Sequence, residues 1–260
     1  MDVVSPALNW LCDMDGVLIN DGRQVPGADK FLDRLRATNR SFLVLTNNSL
    51  FTPRELSAKL QTMGLAVDED QLWTSALATA QFVCHQRPEG TAFVIGETSI
   101  HEALRDVGYR ESDTKPDYVV LGETWNYAFK DITTAIRLID GGSSFVATNP
   151  ETTGTTPDGS LPGCGALTAL IESATGVKPY FVGKPNAVMI REGLNRLDAH
   201  SKTTVMIGDR MDTDIRAGTE AGIETILVLS GVAQRDDILR FSFRPTRVVD
   251  SVAALIDELT

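Results

Sequence analysis

"WLCDMDGVLIN", residues 10–20, sets two aspartates one position apart directly behind a short apolar run. A carboxylate at the end of a buried strand is costly unless something positive meets it. The stretch therefore reads as a strand whose carboxyl end opens on a charged site. The same pattern recurs along the chain. "LNWLCDM", "SFLVLTN", "TAFVIGE", "DYVVLGE", "SFVATNP", "PYFVGKP", "TTVMIGD" and "ETILVLS" are short apolar runs that stop at Gly, Asn or Asp. Stretches with helical spacing, such as 53–63 and 187–197, lie between several of them. Near-continuous apolar strands alternating with helices predict an α/β fold, a doubly wound parallel sheet covered on both faces.

Ligands in such folds collect at the carboxyl ends of the strands, and the unusual polar groups of this chain sit there. Asp13 and Asp15 follow "WLC"; Thr46, Asn47 and Asn48 follow "FLVL"; Lys184 follows "YFVG"; Asp209 follows "VMIG". Carboxylates from separate strands make a hard oxygen site suited to Mg²⁺, which takes a few carboxylates, waters and a phosphate oxygen. Lys184 and the donors around Thr46 are placed to hold the other phosphate oxygens. Either Asp13 or Asp15 can then act as nucleophile on phosphorus, with the other as acid and base.

Composition limits the alternatives. The chain has 260 residues, 42% hydrophobic and 23% charged, enough for one large domain or two smaller ones. Its net charge of −11 disfavours nucleic-acid polymers and anionic membranes as partners. "MDVVSPALNW" lacks the basic stretch and apolar core of a signal peptide, so the cytoplasm is the expected compartment. Cys12, Cys84 and Cys164 are scattered and form no CxxC pair, which points to neither a disulfide framework nor a zinc site. A calcium loop counted from Asp13 would put Val17 and Gln24 at ligand positions and fails. Asp212, by contrast, reads as an N-cap at a helix start.

Four segments carry a resemblance. "DMDGVL" resembles the first motif of the haloacid dehalogenase superfamily of phosphohydrolases, "LTNNS" the second, "GKP" the third and "GDRMDTDIRAG" the fourth. Further likeness in "VPGA", "TSALATA", "ATNPETT", "CGAL" and "ETILVLSGV" extends it to the NagD branch, whose members dephosphorylate nucleoside monophosphates, sugar phosphates or related small esters. The resemblance implies Asp13 as the nucleophile that forms an aspartyl-phosphate and Asp15 as the acid for the leaving alcohol and base for water. It implies Thr46, Asn47 and Asn48 as phosphate binders and Lys184 as the group neutralising charge beside Asp13. Mg²⁺ would be held by Asp13, Asp209 and the main-chain carbonyl of Asp15, with Asp214 orienting a metal-bound water.

Spacing separates the chemistries within that superfamily. A dehalogenase has no use for the proton of Asp15, and only 31 positions between Asp15 and Thr46 leave no room for a phosphomutase cap. By contrast, 135 positions separate Asn48 from Gly183, which predicts an inserted α/β cap over 79–180 within a core of 1–78 and 181–260. Inside it "FVIGET" and "VVLGET", with glycines 26 positions apart, suggest two strand-turn-helix units. The segment 147–167, rich in Gly, Pro and Thr, reads as an irregular specificity loop, with Asn149, Thr152 and Thr153 as donors for a hydroxylated substrate. The expected activity is thus an Mg²⁺-dependent phosphatase of small monoesters such as UMP and sugar phosphates. Glycerol phosphate or pyridoxal phosphate are alternative substrates, and a non-catalytic binding or regulatory protein is the alternative of another class. The expected partner is a small phosphorylated metabolite, with a homo-oligomer through the cap as a further possibility of the branch.

Overall fold

A computed structural model describes residues 8–156 and 159–259. Two compact units divide them. One holds 8–46, 53–73 and 184–259, the other the described residues of 47–52 and 74–183. The chain changes unit between Trp73 and Thr74 and between Gly183 and Lys184, a few residues from the boundaries set by sequence spacing. The short piece 47–52 also counts with the second unit, which spacing gave no reason to expect.

The first unit is built on a six-stranded sheet. Its order is Arg247–Val249, Glu224–Val228, Thr204–Gly208, Asn9–Asp13, Ser41–Thr46, Leu72–Thr74. Asn9–Asp13 pairs in parallel with both Thr204–Gly208 and Ser41–Thr46, with Cys12 opposite Ile207 and Asp13 opposite Leu45. Three of the strands singled out by their polar ends are thus neighbours. Leu11, Cys12, Val44, Met206 and Ile207 are fully buried, as strands covered on both faces require. The helix Ala28–Ala37 turns Ala28, Phe31, Leu32 and Leu35 inward, one stripe at helical spacing. Phe31 meets Trp10 edge to face with ring centroids 5.6 Å apart.

The second unit has its own five-stranded sheet, ordered Tyr180–Phe181, Ser144–Ala147, Tyr118–Leu121, Thr91–Ile95, Arg110–Glu111, with every neighbouring pair parallel. Its core gathers Ile95, Val119, Leu121, Phe145, Cys164 and Ile171. Here the structure corrects one expectation. "PYFVGKP" contributes an edge strand to this second sheet, so Lys184 does not extend a strand of the sheet that carries Asp13. It enters the first unit three residues after that strand ends at Phe181.

The segment 147–167 is also more ordered than its composition suggested. Thr153–Thr156 and Gly159–Pro162 pair as an antiparallel ribbon, and a helix starts at Cys164; residues 157 and 158 lie outside the described residues. Threonine is β-branched and suits a strand as well as a loop. Gly163 and Gly165 let the base of this ribbon close on Glu151 and Pro150, since a Cβ at either would overlap their backbone.

Removing the Phe31 ring should leave a cavity under the sheet. Phe31→Ala is expected to lower stability by about 3–5 kcal/mol, seen as a lower urea midpoint with an unchanged slope.

Candidate active site

The first unit concentrates charge in a place where little water reaches. Asp13 ends its strand at 7% exposure, Lys184 and Asp209 are 2% exposed, and Asp214 is fully buried. Lys184 Nζ lies 2.6 Å from Asp13 Oδ1 and 2.8 Å from Asp214 Oδ1, and donates to the Leu45 carbonyl at 3.4 Å. An oxygen from each of Asp13, Asp209 and Asp214 lies within 4.8 Å of the others. Asp13 is fixed further by the Met14 N–H, which donates to Oδ1 at 2.7 Å.

The backbone explains how three carboxylates come so close. Met211–Ile215 forms a turn of π-helix, wider than an α-turn, and it carries Asp214 back over Gly208. A Cβ at Gly208 would overlap the Asp214 side chain. Asp209 is enclosed in the same manner, because a Cβ at either Gly16 or Gly231 would overlap its carboxylate. Gly16 also has φ +77°, a conformation open to glycine at no cost. The Val232 N–H donates to Asp209 Oδ2 at 2.7 Å.

One ammonium faces three carboxylates, and the titration of the group reflects that imbalance. Burial and then the Asp214 charge push Asp13 well above the usual carboxylate range; Lys184 pulls it back and Asp209 raises it again. Asp209 is pushed up to about 6 by burial and by Asp214, against the lowering influence of the Val232 N–H. Burial disfavours the charged form of Lys184, but Asp13 and Asp214 outweigh it and keep the ammonium charged beyond its ordinary range. A hard divalent cation would supply the missing positive charge, and clustered carboxylate oxygens are the donors such ions take.

The other residues singled out from sequence divide into several kinds. Asp15 is exposed and sits outside the carboxylate cluster, in a turn closed by the Gly16 N–H donating to the Ile19 carbonyl at 2.7 Å. Asp214 pairs with Lys184 directly and accepts from the Arg210 N–H at 3.1 Å. Asp212 is not an N-cap: it lies inside the π-turn and pairs with Arg210 at 2.9 Å on the exposed side. Thr46 is buried at the end of its strand in the first unit, whereas Asn47 and Asn48 belong to the second.

Within that second unit Asn47 and Asn48 have different surroundings. Asn47 Nδ2 donates to Glu151 Oε1 at 3.0 Å. Asn48 Oδ1 accepts from the N–H groups of Leu50 and Phe51, both at 3.1 Å, and shapes the turn that follows. Asn149, expected as a substrate donor, is fully buried and donates to the Asn47 carbonyl at 2.9 Å. Thr152 and Thr153 are exposed.

Sequence reading overlooked Ser49 and Glu123. The Ser49 N–H donates to Glu123 Oε2 at 2.8 Å and the Glu123 N–H donates back to Ser49 Oγ at 2.9 Å. A signal for them existed in the repeated "GET". Thr91–Ile95 and Tyr118–Leu121 are adjacent in register, and Glu97, the counterpart of Glu123, accepts from Thr124 Oγ1 at 2.7 Å. Both carboxylates brace a loop beyond a strand.

Comparison with known proteins follows the same outline. A family model described as haloacid dehalogenase-like hydrolase matches residues 10–110, and one described as HAD-hydrolase-like matches 181–255. The chain is 54% identical over 250 residues to a dihydroxyacetone phosphatase of Corynebacterium glutamicum, covering 96% of this chain and 91% of that one. It is 43% identical to the ribonucleotide monophosphatase NagD of Escherichia coli, covering 95% and 97%, and the NagD structure superposes with a TM-score of 0.90. The structure of a 4-nitrophenylphosphatase from Thermotoga maritima gives a TM-score of 0.92 at 30% identity, with 97% of each chain covered.

The raised Asp209 carboxyl makes a pH prediction for the metal-free protein. Unfolded, an aspartate titrates near ~3.9, whereas folded Asp209 keeps its proton up to about 6. The folded state binds more protons between these values, so this group stabilises below the unfolded pKa and the contribution is lost as pH rises through the folded one. Thermal melts in chelator should show wild type losing stability relative to Asp209→Asn between about pH 4 and 7. Parallel curves for the two proteins would refute the raised carboxyl.

Proposed function

The chain belongs to the haloacid dehalogenase-like hydrolases, in their NagD-like phosphatase branch, and from that premise we propose that it is a cytoplasmic Mg²⁺-dependent phosphatase of small phosphate monoesters. The observation that carries this reading is the Lys184 ammonium 2.6 Å from Asp13 inside a cluster of three carboxylates. It supplies a nucleophile, a counter-charge and a cation site at one point.

In this reading a carboxylate oxygen of Asp13 attacks phosphorus in line with the ester oxygen. The P–O bond to the leaving group breaks as the Asp13–phosphorus bond forms, and Asp15 gives its proton to the departing alkoxide. Asp15, exposed to solvent, then takes a proton from water as that water attacks phosphorus and frees Asp13 with release of phosphate. Lys184, held charged by Asp13 and Asp214, offsets the charge on the phosphoryl oxygens. Thr46 and Asn47 hold the remaining oxygens. Asp13, Asp209 and the Asp15 carbonyl would bind Mg²⁺, with Asp214 supporting them, and the cation when bound screens phosphoryl charge as a Lewis acid.

The second unit is proposed to act as the cap that selects the leaving group, with Thr152 and Thr153 as its exposed donors. Relatives named for dihydroxyacetone phosphate and for ribonucleoside monophosphates support small metabolites as substrates. The net charge of −11 speaks against nucleic-acid polymers and membrane surfaces as partners. Among the described residues no helix is long and apolar enough to cross a membrane, and the three free cysteines suit a reducing compartment.

Release of p-nitrophenol from its phosphate ester, measured with Mg²⁺ and with chelator, tests the reading. Wild type should turn over only with the metal, and Asp13→Asn should lose at least about 10³-fold in kcat, the scale of losing a covalent nucleophile. Turnover surviving that substitution would remove Asp13 from its role. Dihydroxyacetone phosphate, glycerol phosphate, pyridoxal phosphate and UMP then form the first substrate panel, and inactivity on all of them would favour a binding or regulatory protein.

A further inference from the structure

We propose that Ser230 is a positioning residue of this centre, joining the Asp15–Gly16 turn to the loop that orients Asp209. The proposal rests on the phosphatase reading above and concerns residues outside its four motifs. Ser230 follows the strand Glu224–Val228, which pairs with the strand leading to Asp209.

Two hydrogen bonds tie Ser230 to the turn after the nucleophile. Its Oγ donates to the Gly16 carbonyl at 2.7 Å, and its own carbonyl accepts from Asn20 Nδ2 at 2.8 Å. These contacts hold the turn at two points, Gly16 and Asn20. Inside the turn, the N–H groups of Leu18 and Ile19 donate to the Met14 carbonyl at 2.9 and 3.1 Å.

The next residues act on Asp209. Gly231 packs against its carboxylate with no room for a Cβ, the Val232 N–H donates to Oδ2 at 2.7 Å, and the Ala233 N–H donates to the Asp209 carbonyl at 3.0 Å. Gly16 and Gly231 therefore form two walls around one carboxylate. Ser230 is the residue that bonds the first wall and is covalently joined to the second. It touches no reacting atom, so its effect must pass through the placement of Asp209 and of the Asp15 carbonyl, which precedes Gly16 in the chain.

A merely structural hydrogen bond would lower stability and leave metal affinity alone. Ser57 provides that control, since its buried hydroxyl donates to the Val67 carbonyl at 2.7 Å, outside the site. The experiment follows the thermal midpoint during Mg²⁺ titration without substrate, beside kcat and KM for p-nitrophenyl phosphate at saturating Mg²⁺. Ser230→Ala should raise the Mg²⁺ concentration for half-maximal stabilisation by about fivefold to tenfold, the worth of one hydrogen bond. It should also lower kcat with KM changed less than about twofold, since no group that binds substrate is removed. Ser230→Thr, which keeps the hydroxyl, should restore both, while Ser57→Ala should lower the midpoint and leave the Mg²⁺ requirement unchanged.

An unchanged Mg²⁺ requirement and kcat in Ser230→Ala, or an equal shift in Ser57→Ala, would overturn the proposal. If Ser230→Ala does not fold, Asn20→Ala removes only the second bond and should move the Mg²⁺ requirement in the same direction; no movement would overturn it too. The binding readout needs no turnover. Wild type that binds Mg²⁺ yet hydrolyses none of the panel would sink the phosphatase reading while the shift in Mg²⁺ requirement still decides the role of Ser230.

Discussion

One buried ammonium between two buried carboxylates is the constraint on which the rest of the first unit turns. Lys184 meets Asp13 at 2.6 Å and Asp214 at 2.8 Å, and Asp209 adds a third negative charge within reach. Such a group is poor evidence for stability, because the desolvation of buried charges offsets much of what their attraction returns. Its arrangement makes sense as chemistry. The wide turn at Met211–Ile215 and the bare backbone at Gly16, Gly208 and Gly231 all act to let these carboxylates crowd together. Remove any of these accommodations and the charge cluster must spread.

Much of this was legible in the residues. Each of the eight apolar runs contains a strand, and the strands ending in Asp13, Thr46 and Gly208 are neighbours, because buried parallel strands carry an unbroken apolar signal. Short edge strands were not visible. Leu72–Thr74 and Arg247–Val249 have three residues each and Arg110–Glu111 two, too few to show a period. Lys184 was placed on the wrong sheet for a related reason: an apolar run announces a strand but not which sheet receives it. Asn149 was misjudged because a polar side chain in a Gly- and Pro-rich segment looks solvated until its buried acceptor, the Asn47 carbonyl, is known.

The second unit shows how a repeated pattern can be structural in meaning. Glu97 and Glu123 stand at equivalent strand ends, yet one holds Thr124 and Trp125 while the other holds Ser49. The same carboxylate geometry thus braces the loop at Thr124 and Trp125 in one case and the segment around Ser49 in the other. Likeness to relatives along almost the whole chain, with TM-scores near those of the same fold, covers this unit as well as the first.

The central strand of the first sheet imposes an order of events on biosynthesis. Asn9 donates to Thr203, 194 residues away, and the strand beyond it cannot find its neighbour Thr204–Gly208 until most of the chain has left the ribosome. Pairings of such sequence separation are late and slow, whereas the second unit has all of its strands by Gly183. Asp13 is synthesised well before Lys184, Asp209 and Asp214, the residues that surround it. A nascent chain therefore carries Asp13 without Lys184, Asp209 or Asp214 beside it, and the charge cluster awaits their synthesis.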